Sequence, residues 1–184
     1  MDRNERINNT VNSLQQMLGG FQQKIWTALP GIVDSYDSTK ITAVVQPAIK
    51  GQLRDPEGKW TDVTMPLCLD CPVMFPWAGD YGLTLPVAKN DEGLLVFSSR
   101  CIDSWWQSGG VQTQAEYRMH DLSDGFFLPG IFSQPRKLTN VSATKPQFRT
   151  KDGLTYVELD NDLKRVNVVA PNGLWVNGIR VLVP

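Results

Sequence analysis

The sequence predicts a mostly-β protein with an N-terminal α-helix, a small OB-type barrel and a tail of very short strands. Three observations lead there. Apolar residues near the N-terminus recur at intervals of four and three, which is helical. From Ile32 the texture changes to short β-rich runs punctuated by turn residues. Beyond Ala143 the runs become shorter still, each closed by an Asp-, Asn- or Gly-containing turn.

The helix is assigned to residues 1–26. Ile7, Val11, Leu14, Leu18, Phe21 and Ile25 form an a/d seam between polar residues. Gly19 and Gly20 each cost about 1 kcal/mol in a helix interior, so the helix is expected to end or bend there. A lone amphipathic helix lying on its own domain would show this stripe. So would a self-associating one, and a two-in-seven stripe is narrow for the first role.

Residues 27–142 are assigned to the barrel. Leu29-Pro30-Gly31 breaks the helical pattern. IVDSYD and KITAVVQPAI then flank a turn at Asp37-Ser38-Thr39, and a Pro-Glu-Gly turn follows in LRDPEGKW. VTMPLCLDCPVMFP is extended, because its prolines forbid helix. LTLPVAKNDEGLLVFSS reads as two strands around a turn. About five strands in about 100 residues suit a small closed barrel. Residues 103–137 read as loop. In 143–184, TYVELD, RVNVVAP, LWVNG and IRVLVP are four strands. Val166 and Val168 share a face, as do Leu174 and Val176, and Ile179 and Val181. Strands this short cannot bury a core alone, so the tail is expected to intertwine with other copies of itself, which also pairs its edges.

Composition narrows the function. With 18 basic and 19 acidic residues the formal net charge is −1, so the attraction that drives nucleic-acid binding is missing. No apolar run is long enough to span a bilayer, and the polar start MDRNERINNT lacks the apolar core of a secretory signal. Three cysteines at irregular spacing do not make a disulfide framework; they fit a chain folded in a reducing cytoplasm.

The sharpest chemical motifs have plain alternatives. Cys101, His120 and Asp121 could be nucleophile, base and orienter, but triads are defined by geometry and not by spacing. Cys68-Leu69-Asp70-Cys71 offers half a zinc site with no second half; in a regular strand its two thiols would point to opposite faces. Trp105 and Trp106, read on a strand, would also face opposite ways. One would cap the barrel and the other meet a neighbour or solvent.

The ordered motifs ALPGIVDSYD, ITAVVQPAIKG, MPLCLDCPVMFPWAGDYGLTLPVAKNDEGLLVFSSRCIDSWWQSGG and RMHDLSDGFFLPGIFSQPR resemble the N-terminal OB domain of the central, membrane-piercing spikes of contractile-tailed phage baseplates. The resemblance covers roughly residues 25 to 137. It implies a homotrimer docked on a baseplate hub protein, a short C-terminal triple-stranded β-helix, and transient contact with the host outer membrane. It implies a virion component made in the host cytoplasm, with no catalytic residue, no cofactor and no nucleic-acid partner. The expected trimer or hub interface comprises Ile7, Val11, Leu14, Leu18, Trp105, Trp106, Val166, Val168, Leu174, Val176, Ile179 and Val181. The family's apical iron is bound by a His-x-His pair. Here the sole histidine, His120, precedes the tail, so no metal and a separate spike-tip protein are expected. The competing readings are a spike-associated peptidoglycan hydrolase and a carbohydrate-binding module.

Overall fold

A computed structural model describes residues 10–22, 24–55 and 58–181. The chain divides into two compact units, Met1–Ile131 and Phe132–Pro184.

In the first unit, α1 spans Thr10–Gln22. It continues past Gly19 and Gly20, whose absent Cβ atoms would meet nothing within 4 Å. The glycines therefore weaken the helix without ending it. The strands that follow are β1 (Ala28–Asp37), β2 (Thr42–Pro47), β3 (Gly51–Arg54), β4 (Trp60–Val63), β5 (Cys68–Pro72), β6 (Trp77–Ala78), β7 (Tyr81–Gly82) and β8 (Glu92–Phe97). A short helix α2 (Asp103–Ser108) precedes β9 (Gly125–Pro129).

One sheet in the order β5-β2-β1-β8-β9 organises this unit. It curls into a half-barrel whose outer strands approach. Val73 makes a parallel bridge to Phe127, and the Met74 N–H donates to the Phe127 carbonyl at 2.9 Å. Alternation supplies the core: Val33 on β1, Ala43 and Val45 on β2, Leu95 and Phe97 on β8, and Phe127 on β9 are all buried. The curl also needs missing side chains. Gly31 and Gly93 face each other across β1 and β8. A Cβ on Gly31 would lie 2.6 Å from Val45 Cγ1, and one on Gly93 would lie 2.5 Å from the Leu128 carbonyl.

Two expectations fail locally. Leu83–Lys89 forms no strand; Pro86 has no N–H to give a ladder. The segment read as pure loop contains both α2 and β9. Phe127 is fully buried in the second of these. Phe127→Ala is expected to lower the unfolding free energy by about 3–5 kcal/mol, read as a shifted urea midpoint. A loss under about 1 kcal/mol would show that this ring does not anchor the core.

The second unit holds β10 (Gln147–Arg149), β11 (Tyr156–Asp160), β12 (Arg165–Val169), β13 (Leu174–Val176) and β14 (Ile179–Val181). The strands β10-β11-β12 form one antiparallel sheet and β13-β14 a separate hairpin. The four tail strands sit where the turn signals place them, and β10 is additional. The residues before β10 strap back onto this sheet. The Arg149 guanidinium donates to the carbonyls of Thr139, Asn140, Thr150 and Lys151, and Lys145 Nζ donates to Asp160 at 2.8 Å.

Candidate functional site

The first unit carries a polar lock beneath α2. Asp124 is fully buried. Its carboxylate accepts from the Ile102 N–H at 2.9 Å and from Arg118 Nε and Nη2 at 2.7 and 3.0 Å. Arg118 also reaches Asp103 at 2.8 Å and Glu116 at 2.9 Å. The guanidinium is held charged well above its ordinary range, chiefly by its hydrogen bonds to Asp124. Cys101, Asp103 and Asp124 offer ligand atoms within 4.8 Å of one another. Arg118 already neutralises both carboxylates, so a cation would have to displace it.

The lock fixes the tryptophans. Asp103–Ser108 is helical, so Trp105 and Trp106 project about 100° apart and not to opposite faces of a strand, as the sequence suggested. Trp105 packs edge-on against Phe126, with centroids 6.0 Å apart. Trp106 lines a cleft of about 560 Å³ with Lys40, Leu69, Asp70 and Arg118. Both indoles stay substantially exposed.

His120 and Asp121 of the supposed triad are each held by backbone groups. His120 Nδ1 lies 3.1 Å from the Trp26 carbonyl, and the Trp26 N–H donates to the His120 carbonyl, so this pair pins the chain entering β1. Asp121 accepts from the Ser123 N–H and is held below the ordinary carboxylate range chiefly by that bond. Cys101 is buried. Cys68 and Cys71 are both buried too, which corrects the opposite-face expectation. Asp70 takes a left-handed φ of 49°. The three-step separation of Cys68 and Cys71 faces only the two steps from Val45 to Ala43 on β2. This bulge turns both thiols inward.

On α1, the described seam residues Val11, Leu14, Leu18 and Phe21 are exposed; Ile7 lies outside the described residues. In the second unit the polarity of the sheet is inverted. Glu158 and Asp160 point to the covered side and are buried. Lys145 meets Asp160 at 2.8 Å and Glu158 at 3.7 Å. Its amine is raised mainly by Asp160. Asp160 is lowered by Lys145 first and then by the Leu163 N–H, and Glu158 by Gln147 and Asn167.

The opposite face is apolar and open. Phe148, Val157 and Val168 lie in one cross-strand row, Leu159 and Val166 in the next, and all five are exposed. The hairpin repeats this: Leu174 pairs with Val181 and Val176 with Ile179, again exposed. The sequence located the apolar residues of the tail, but the charges beneath them carry no periodic signal and were missed.

The first unit is thus a curled β-scaffold with a neutralised polar cluster, and the second a small sheet with outward apolar rows. The family model described as phage protein Gp138 N-terminal domain matches residues 29–130, and the chain belongs to that family. It is a phage structural protein and a virion component. No curated protein matches it.

Proposed function

We propose that the protein is the central spike of a contractile tail baseplate, a homotrimer that docks on the hub and helps pierce the host envelope. The observation that carries this reading is the inverted sheet of the second unit. Its charges are covered by its own chain, while Phe148, Val157, Leu159, Val166 and Val168 face outward. Exposed apolar rows of this kind mark interaction sites. Three copies wound into a short β-helix would bury them and pair the free edges. Membership of a phage structural family makes the baseplate the natural setting.

In this reading α1 and the Trp105–Trp106 helix serve the hub or neighbouring copies. A separate tip protein covers the far end. The role is mechanical and needs no catalytic residue, cofactor or metal. Native mass spectrometry at micromolar concentration is expected to give a species of three times the chain mass. A folded monomer alone would refute the trimer. Antibody labelling away from the baseplate of intact particles would refute the placement.

A further inference from the structure

The bulge on β5 has a chemical consequence. We propose that Cys68 and Cys71 form an oxidisable dithiol that closes to an intrachain disulfide when the folded protein meets a small-molecule disulfide. Ordinary strand positions three apart face opposite ways and cannot be bridged. Here the pair spans only two β2 positions, Ala43 and Val45. Two strand steps are about 6.6 Å, within the range of about 4.4–6.8 Å between Cα atoms that disulfides require.

Both side chains lie on the core side, and the Cys71 thiol donates to the Leu69 carbonyl at 3.9 Å. The neighbouring Cys71 thiol holds Cys68 below its ordinary range, while Cys68 and burial raise Cys71. Cys68 is therefore the attacking sulfur, since the thiolate is the nucleophile.

Access comes from the seam beside the pair. A Cβ on Gly125 of β9 would touch Cys71 Sγ at 3.5 Å, so the dithiol sits where β5 meets β9. Across that seam run the bridge of Val73 to Phe127 and the bond from the Met74 N–H to the Phe127 carbonyl. Sparsely bonded seams open locally at lower free energy than the ladders beside them.

The step balances as thiol–disulfide exchange. Cys68 thiolate attacks one sulfur of the oxidant RSSR, forming a mixed disulfide and releasing RS⁻. Cys71 gives up its proton and attacks Cys68 Sγ, releasing the second RS⁻. The protein loses two electrons and two protons, and RSSR becomes two RSH. Cys101, buried beside Asp103 and Asp124, has no such partner and stays a thiol.

The test equilibrates the full-length protein in glutathione buffers from fully reduced to fully oxidised, with folding followed by circular dichroism. Acid quenching, alkylation in denaturant and tryptic mass mapping follow. The expected oxidised product carries one alkyl group, on Cys101. Its peptide 60–89, holding Cys68 and Cys71, is lighter by two hydrogens than the unalkylated dithiol form. Cys101→Ser should leave this unchanged. Cys71→Ala, or Cys71→Val if the first unfolds, should trap glutathione on Cys68. Three alkylatable thiols in the folded, fully oxidised sample would overturn the proposal, as would a disulfide that includes Cys101 or joins two chains.

Discussion

Arg118→Ala is expected to lower the unfolding free energy of the first unit by about 3 kcal/mol, near the lower end for breaking a buried ion pair. The reason is what it leaves behind. Asp124 has no exposed surface, and two of its three hydrogen bonds come from Arg118. Without the guanidinium a carboxylate is buried with one backbone N–H, and α2 loses the charge that also ties down Asp103. Arg118→Lys should fall between wild type and Ala, because an ammonium cannot span both carboxylate oxygens as a fork does. Urea unfolding monitored by tryptophan fluorescence reads the effect as a midpoint shift at constant slope. A change under about 1 kcal/mol would mean that water, not protein, solvates Asp124.

Val168→Asp is expected to dissociate the proposed trimer. Val168 sits in the outward row with Val157 and Phe148, and a trimer would bury three added carboxylates together. If each costs about 3 kcal/mol, association weakens by about 100-fold per site. Mass photometry across a dilution series should show monomer where wild type remains trimeric. Asn172→Asp adds the same charge on an exposed turn and should leave assembly intact. A trimer that survives Val168→Asp with the sheet folded would place the interface elsewhere.

How much of this was legible follows from what sequence patterns can encode. The tail strands were visible because Gly, Asn and Asp mark each reversal, and alternation marks each face. The strand β9 was not, since GFFLP is a five-residue run inside a segment rich in Gly, Ser and Gln. Helix α2 was hidden because DSWWQS is too short for a periodic signal and tryptophan favours strands. The orientation of Cys71 depends on one left-handed residue, Asp70, which no alternation rule registers. The link from Arg118 to Asp124, like that from Lys145 to Asp160, is set by tertiary placement, which composition and spacing do not record.

The strap before β10 gives the second unit a defined response to pulling. Tension applied upstream of Thr139 reaches the carbonyls of Thr139 and Asn140 before it reaches β10. There one guanidinium grips both, together with Thr150 and Lys151 further along. These bonds are loaded side by side, so they share force and fail together instead of unzipping one by one. Lys145 on Asp160 forms a second clasp within the same loop. When both let go, the segment from residue 139 to the start of β10 at 147 pays out at most about 29 Å while the three-stranded sheet is still intact. The unit thus contains a mechanical fuse ahead of its β-structure, and a sudden jerk is spent on a loop before it strains a strand.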